Sequence, residues 1–275
     1  MFLASLPPVR HLTSPGTVYI VGAGPGDPGL LTLRAAAVLA DATEVYHDHL
    51  VSAGVLERCG AAARLINVGK VGHGPHTAQH EIEARLVAAA RDGHVVVRLK
   101  GGDPFMFGRG AEEALALRDA AVPFEIVPGV SSALAVPAAA GIPLTARGIA
   151  TSIAIVTGHS LAGGPAPIPI ADTIVILMGV SNAASIRDQL LAIGLAPDTP
   201  AAAIEWGTYA RQRVVSSTLA ALPRDVEVNR IAAPAVLVIG EVVALRARLI
   251  ASDSECRAIP PRTGVFTDTA NPTNL

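Results

Sequence analysis

The regular alternation of short β-rich runs with helical segments over residues 17–127 is the feature that most constrains the fold. The clearest run, residues 95–99, is rich in valine, as are strands that are buried on both faces of a parallel sheet. The helix predicted before it, over residues 79–91, carries Ile82, Leu86 and Val87 on one face. Strand–helix–strand units repeated in this order imply right-handed crossovers and an open α/β sheet.

The second half of the chain has a different pattern, in which short connections join most strands and one strong helix is predicted over residues 182–193. Short connections favour antiparallel neighbours, so we expect a mixed sheet there. The predicted organisation is two α/β domains, 17–144 with a mainly parallel open sheet and 145–250 with a mixed sheet. The tail, 251–275, has little apolar periodicity and is predicted to be disordered.

Composition and charge exclude several classes of function. Charged residues make up 16% of the chain, the formal net charge is -2, and lysine and arginine form no run. Neither nucleic acid nor a membrane is therefore an expected partner. Cys59 and Cys256 stand alone, which argues against a disulfide framework and a cysteine metal site. The apolar stretch 127–144 contains three prolines and does not predict a membrane helix, so a cytoplasmic protein is expected.

Two glycine-rich segments each follow a predicted strand. The first, GAGPGDPGLLT at residues 22–32, has Asp27 where a dinucleotide-binding loop has its third glycine, and its prolines delay the helix to Thr32. An ordinary strand-to-helix turn is the alternative. The second, RLKGGDPFMFGRGAEE at residues 98–113, repeats the Gly-Asp-Pro element. Ligands bind outside the carboxyl ends of strands in open α/β sheets, so the two elements predict two walls of one pocket.

A third segment, VPGVSSALAVPAAAGIPLTARG at residues 127–148, breaks a strand at Pro128 and Gly129. It then supplies the hydroxyl groups of Ser131 and Ser132 before a helix of small residues. These hydroxyls are candidate ligand contacts. Ser131 is equally well interpreted as the N-cap of the helix, and capping does not exclude contact with a ligand.

These three segments, together with HDHLVS at residues 47–52 and VGK at residues 68–70, resemble the tetrapyrrole C-methyltransferase family. The similarity is greatest to members that act on uroporphyrinogen III. It implies two α/β domains with S-adenosyl-L-methionine held in a cleft between them, usually in a homodimer. It also implies methylation of uroporphyrinogen III at carbons 2 and 7, giving precorrin-2 for sirohaem or cobalamin biosynthesis and releasing S-adenosyl-L-homocysteine.

The resemblance also assigns the residues that contact the cofactor. They are Pro25, Gly101, Gly102, Asp103, Met106, Ser131, Ser132, Met178 and Gly207. S-adenosyl-L-methionine presents a base, a ribose diol, an amino acid group and a sulfonium, which call for backbone groups, a carboxylate and hydroxyls. Without the family, Met178 at the end of an apolar strand would be interpreted as a core residue.

For the reaction, the resemblance assigns a proton acceptor at Asp48 and a proton donor at Lys70, which are otherwise a turn residue and a surface charge. Arg109 completes the predicted catalytic set. The substrate carries eight carboxylates, so Arg109 and Arg147 are expected to bind it, while Glu112 orients Arg109 or accepts from a pyrrole N–H. The alternative for Arg109 is a surface pair with a neighbouring glutamate. No metal site is expected, because the histidines lack ligand spacing.

Two positions depart from the family pattern. The usual Tyr-Asp-Arg is His47-Asp48-His49 here, and the arginine that commonly follows Gly-Lys is Val71. Both departures bear on which tetrapyrrole is bound. Three other functions stay open: another precorrin C-methyltransferase of corrinoid synthesis, a non-catalytic tetrapyrrole-binding protein and a nicotinamide oxidoreductase. The missing third glycine counts against the oxidoreductase.

Overall fold

The computed structural model describes residues 13–69, 77–159 and 166–250, which form two compact units. The division falls between Ser131 and Ser132, so the helix of small residues begins the second unit. The sequence-based boundary at residue 144 lies after that helix instead. The tail predicted to be disordered, Lys70 and Val71 lie outside the described residues.

The first unit is an α/β layer structure with one sheet. Its strands are β1 (Val18–Gly22), β2 (Glu44–His47), β3 (Arg64–Asn67), β4 (Val96–Lys100) and β5 (Phe124–Val127). Its helices are α1 (Leu33–Asp41), α2 (Ala53–Leu56), α3 (Gln79–Arg91) and α4 (Gly110–Asp119). The strand order is β3-β2-β4-β1-β5 with every pairing parallel, which confirms the predicted open parallel sheet. Only α2, a single turn, was not predicted from the sequence.

The two faces of this sheet are covered by different helices. Successive side chains of a strand point to opposite faces, and the three interior strands, β2, β4 and β1, are buried along their whole length. Val97 and Leu99 pack on the face that carries the buried residues of α1, whereas Val96 packs with the buried residues of α3 and α4. The side chains of Arg98 and Lys100 therefore belong to the face under α3 and α4.

The second unit contains the other sheet. Its strands are β6 (Ile153–Thr157), β7 (Thr173–Leu177), β8 (Pro200–Glu205), β9 (Arg213–Thr218) and β10 (Ala235–Ile239). Its helices are α5 (Ser132–Ala139), α6 (Ala183–Ala192), α7 (Leu222–Val228) and α8 (Leu245–Ile250). The order is β6-β7-β10-β8-β9, and the parallel pair β6–β7 beside three antiparallel pairs confirms the predicted mixed sheet.

Strand β10 lies between β7 and β8 and is antiparallel to both. Leu177 of β7 and Ile204 of β8 are both paired with Val236, so β7 and β8 run in the same direction and end at the same edge of the sheet. In the described parts of the chain, no helix has the length and apolarity that crossing a bilayer demands.

Candidate functional site

The predicted motifs of the first unit meet where its parallel strands end. The backbones of Gly24 and Gly102 pair across two motifs, with N–H···O distances of 3.2 and 2.8 Å. A Cβ atom added to Gly22 would lie 2.6 Å from the Cα atom of Gly129, so side chains are sterically excluded at this junction. The three glycine-rich segments thus form one close-packed layer, while the pocket predicted between the first two stays a prediction.

The loop after β1 does not lead directly into a helix. Asp27 accepts a hydrogen bond from the Gly29 N–H at 2.7 Å and caps a single 3-10 turn over Pro28–Leu30. Helix α1 begins only at Leu33, where the Thr32 hydroxyl accepts from the Ala35 N–H at 3.1 Å. This confirms the delayed helix, and a pyrophosphate-binding helix N-terminus inside the motif is absent from this described loop.

The HDHLVS segment packs against the same layer. The Ser52 hydroxyl donates to the Gly26 carbonyl at 2.7 Å, and a Cβ atom on Gly54 would lie 2.6 Å from Pro28 Cγ. A Cβ atom on Gly69 would collide with the backbone of His49. The residue immediately before Lys70 therefore lies beside the turn that carries Asp48.

Asp103 connects two of the motifs through both of its carboxylate oxygens. Oδ1 accepts from the Phe105 N–H at 2.9 Å, and Oδ2 accepts from the Gly129 N–H at 3.1 Å. Contact with a cofactor stays a prediction for this residue. Gly101, by contrast, is exposed and has no atom within 4 Å of an added Cβ atom, so open space lies beside its backbone.

Asp48 lies directly after β2 and reaches the neighbouring motif. Its Oδ1 atom lies 2.5 Å from Nη2 of Arg98, and its Oδ2 atom accepts from the Gly101 N–H at 3.4 Å. The side chain is 32% exposed. The structure therefore joins the predicted proton acceptor to the loop predicted to bind the cofactor.

Behind Asp48 lies a buried ionic cluster that the sequence analysis overlooked. Arg98, Lys100 and Glu113 have exposed side-chain fractions of 4%, 2% and 0%. Glu113 Oε1 lies 2.9 Å from Arg98 Nε and 3.0 Å from Lys100 Nζ. Lys100 Nζ is also 3.0 Å from Oε2, but among the described residues Oε2 accepts no hydrogen bond and is held by charge alone.

The cluster shifts the pKa values of its two cations in opposite directions. Burial opposes the charge of Arg98, but the Asp48 and Glu113 carboxylates outweigh burial, so the pKa of Arg98 is raised. Burial and the positive charge of Arg98 lower the pKa of Lys100 against the attraction of Glu113. A usable signal existed in the sequence, because two cations two residues apart in a buried strand share a face and require a carboxylate there.

Arg109 adopts the surface arrangement that the sequence analysis left as its alternative. The residue stands at the N-cap of α4 with a left-handed φ of 59°, and its Nε atom lies 3.0 Å from Oε1 of Glu112. Both side chains are more than half exposed. Glu113, the other possible partner, turns into the core. The contact is compatible with Glu112 orienting Arg109, and both that role and binding of substrate by either residue stay predictions.

In the second unit, the predicted cofactor residues lie beside left-handed backbone. Met178, directly after β7, has φ of 55° and is 48% exposed. Gly207, after β8, packs against Val136 of α5 and is flanked by Trp206 and Thr208, with φ of 49° and 71°. Strained conformations of this kind concentrate at functional sites. Met178 and Gly207 follow β7 and β8, and these two strands end at the same edge of this sheet.

The remaining predicted residues have less specific surroundings. Pro25 and Met106 are half-buried, Ser131 is buried, and Ser132 is the first residue of α5. Arg147 is exposed in a turn of the second unit. Within residues 13–69, 77–159 and 166–250 no group of three histidine, cysteine or acidic side chains is arranged for a metal ion.

An aromatic cluster at the end of β8 is a feature that the sequence analysis did not anticipate. The Arg211 guanidinium carbon lies 3.4 Å from the centroid of the Trp206 ring, and Tyr209 meets that ring edge-on at 5.2 Å. Stacking of this kind holds a strained turn in one conformation. The cluster therefore supports the backbone around Gly207.

Comparisons with known proteins agree with this arrangement. The sequence profile of the tetrapyrrole (corrin/porphyrin) methylases matches residues 17–223. The S-adenosyl-L-methionine-dependent uroporphyrinogen III methyltransferase of Methanosarcina barkeri is 46% identical over 238 residues, covering 84% of this chain and 93% of that protein. Siroheme synthase of Pseudomonas fluorescens is 46% identical over 242 residues. That match covers 86% of this chain but only 52% of the synthase, so the chain spans about half the length of this relative.

Solved structures show the same relationship. Uroporphyrin-III C-methyltransferase of Thermus thermophilus superposes with a TM-score of 0.75 at 45% identity, covering 85% of this chain and 98% of that one. A structure of the Thermus thermophilus enzyme complexed with S-adenyl homocysteine gives a TM-score of 0.72 at 40% identity, with coverages of 83% and 99%. On the match of the profile and of these relatives, the chain belongs to the tetrapyrrole (corrin/porphyrin) methylases.

Proposed function

We propose that this protein transfers methyl groups from S-adenosyl-L-methionine to carbons 2 and 7 of uroporphyrinogen III, giving precorrin-2. The observation that carries the proposal is the hydrogen bond from the Gly101 N–H to Asp48 Oδ2. It brings a carboxylate able to accept a proton to the loop that is expected to hold the methyl donor. The relatives named for this reaction support the same assignment.

The residues of the first unit fit a bound S-adenosyl-L-methionine. Open space adjoins the Gly101 backbone, whereas Gly22 and Gly129 are packed backbone against backbone. The Asp103 carboxylate accepts from the Gly129 N–H, and the Gly102 backbone pairs with that of Gly24, so both residues shape this loop. Ser131 of this unit is a further predicted contact, and the family resemblance also predicts contacts from Ser132, Met178 and Gly207 of the second unit. The bound donor supplies a methyl group already activated on a positively charged sulfur.

The protein then has to orient the substrate and remove a proton. A reduced pyrrole carbon is a good nucleophile, and after it gains a methyl group the macrocycle loses a proton. Asp48 is partly exposed and fixed on one side, which suits a proton acceptor. Arg109, with five N–H donors on a planar group, would bind a substrate carboxylate beside Glu112, and Arg147 would bind another. Lys70 is the proposed proton donor.

The test is anaerobic incubation of the protein with S-adenosyl-L-methionine and enzymatically made uroporphyrinogen III, followed by mass analysis of the oxidised product. A gain of two methyl groups is expected. Transfer of no methyl group would favour a tetrapyrrole-binding protein, and transfer only to a later precorrin would favour another methyltransferase of corrinoid synthesis. A homodimer in the cytoplasm remains the expected form, to be checked by sedimentation and fractionation.

Asp48→Asn tests the catalytic assignment. The substitution keeps shape but removes basicity, so both ligands should bind while kcat falls about a hundredfold or more. Glu44→Gln is the matched control, because Glu44 is a buried carboxylate at the opposite end of the same strand, bound to Tyr46 and Arg64. Full turnover by Asp48→Asn would exclude the proton-acceptor role.

A further inference from the structure

We infer that Arg98 is a positioning residue for Asp48, and that Glu113 of α4 anchors Arg98 so that the Asp48 carboxylate is held in one orientation. The inference rests on the proposed function, because it concerns the proton acceptor of that reaction. It assigns a role to a buried ionic cluster whose members Arg98, Lys100 and Glu113 the proposed reaction does not otherwise use.

Every nitrogen of the Arg98 guanidinium has a fixed partner. Nε donates to Glu113 Oε1 at 2.9 Å, Nη2 donates to Asp48 Oδ1 at 2.5 Å, and Nη1 donates to the carbonyls of Tyr46 and Leu99 at 3.3 and 3.2 Å. Because all three nitrogens of the planar guanidinium donate hydrogen bonds, the group cannot rotate without breaking hydrogen bonds to buried partners. A lysine ammonium could not span the same partners.

Charge is balanced within the cluster. Arg98 and Lys100 supply two positive charges, and Glu113 and Asp48 supply two negative ones. Removal of one member of a buried ionic group leaves an uncompensated charge, so each member constrains the others. The amide of Gln79 donates to Glu113 at 3.2 Å and fixes the carboxylate from the side of α3.

The cluster reaches solvent through one group. Arg98, Lys100 and Glu113 are essentially inaccessible, whereas about a third of the Asp48 side chain is exposed. A purely structural cluster would have no need of a member at the surface beside a ligand loop. The Glu44 cluster offers the contrast, because its buried carboxylate bridges Tyr46 and Arg64 at the amino end of β2 and contacts none of the motifs.

The experiment is a double-mutant cycle on the full chain with uroporphyrinogen III and S-adenosyl-L-methionine. Arg98→Lys and Glu113→Gln are made singly and in an Asp48→Asn background, with Glu44→Gln as the control for loss of a buried carboxylate. For each variant kcat, KM for the tetrapyrrole, the Kd of S-adenosyl-L-methionine and Tm are measured. Glu113→Gln is nearly isosteric and keeps the experiment interpretable where Arg98→Lys fails to fold.

We expect Arg98→Lys and Glu113→Gln to lower kcat by about tenfold or more without changing the Kd of S-adenosyl-L-methionine. In the Asp48→Asn background neither should cause a further loss, because a residue that acts only through Asp48 has nothing left to position. Glu44→Gln should lower Tm to a similar extent with kcat unchanged.

If the wild-type protein is active, two results would overturn the inference alone. One is that the kcat losses of Arg98→Lys and Glu113→Gln multiply with the loss caused by Asp48→Asn. The other is that Glu44→Gln lowers kcat as much as they do. A wild-type protein that does not methylate uroporphyrinogen III would overturn the proposed function, and the inference with it, before any variant is compared. The activity of the wild type therefore separates the two failures.

Discussion

The two units bring predicted site residues to a sheet edge by different physical means. In the first, glycines of separate motifs pack backbone against backbone, and a buried ionic cluster lies beneath them. In the second, Gly158 and Gly179 also pack backbone against backbone, but residues with side chains, Met178 and Trp206, adopt left-handed backbone at the ends of apolar strands.

The difference separates two ways of shaping a loop. Close contacts at Gly22 and Gly129 leave no room for a side chain at those two positions, because an added Cβ atom would meet backbone. Left-handed residues cost free energy that the surrounding structure must offset, and the second edge retains side chains in return. Substitutions at Gly22 and Gly129 should therefore act through packing, and substitutions at Met178 and Trp206 through backbone strain.

The largest expected effect comes from comparing two glycines of the first edge. Gly129→Ala should lower the free energy of unfolding by about 3 kcal/mol, because the new Cβ atom collides with the Gly102 carbonyl. Gly101→Ala has open space and should leave stability unchanged while weakening binding of S-adenosyl-L-methionine. Chemical denaturation measures the free energy of unfolding, and calorimetry measures the affinity for S-adenosyl-L-methionine. Wild-type affinity in Gly101→Ala would show that the cofactor does not occupy this space.

Arg109→Lys distinguishes a substrate contact from a surface ion pair. Loss of a bidentate carboxylate contact should lower kcat/KM for uroporphyrinogen III about tenfold, equivalent to about 1.4 kcal/mol, with unchanged affinity for S-adenosyl-L-methionine. Arg118→Lys is the control, because Arg118 is exposed on the same helix and, among the described residues, forms an ion pair only with its neighbour Asp119. Normal kinetics in Arg109→Lys would show that Arg109 only forms a surface ion pair with Glu112 and does not bind the substrate.

Met178→Gly tests the strain of the second edge. Ala121, exposed after α4, has φ of 54° against 55° for Met178, so both positions favour glycine. Ala121→Gly should raise the free energy of unfolding by about 0.5 to 1 kcal/mol without affecting ligand binding. Met178→Gly should relieve the same strain but weaken S-adenosyl-L-methionine binding. Unaltered binding in Met178→Gly would remove this residue from the cofactor site.

The smallest effect concerns acid stability in the second unit. Backbone and hydroxyl hydrogen bonds from Thr151 and Ser152 lower the pKa of Asp172 from 3.8 to about 2. A depressed carboxylate pKa stabilises the fold above the unfolded value, and that stabilisation is lost as pH falls from 3.8 through about 2. The stability difference between wild type and Asp172→Asn should shrink over that window. Asp119→Asn, as a surface control, should show no such trend.

Periodic segments could be predicted from the sequence because their signals are local. The bounds of α3 agree with the sequence prediction to the residue, those of β4 and α6 agree to within one residue, and both sheet types are confirmed. The boundary between the units differs because α5 packs with β7 and β10, which lie far from it along the chain. A helix of small residues carries no local sign of which unit it joins.

The sequence by itself determined the two α/β sheets, the glycine-rich motifs after the strands and, through those motifs, the family. Only the tertiary structure decided what the charged residues do. Arg98 and Lys100 are buried because α4 brings Glu113 and β2 brings Asp48 to the same face of β4, whereas Arg109 stays at the surface beside Glu112. The stability of a buried charge depends on partners distant in sequence, so local pattern could not assign it.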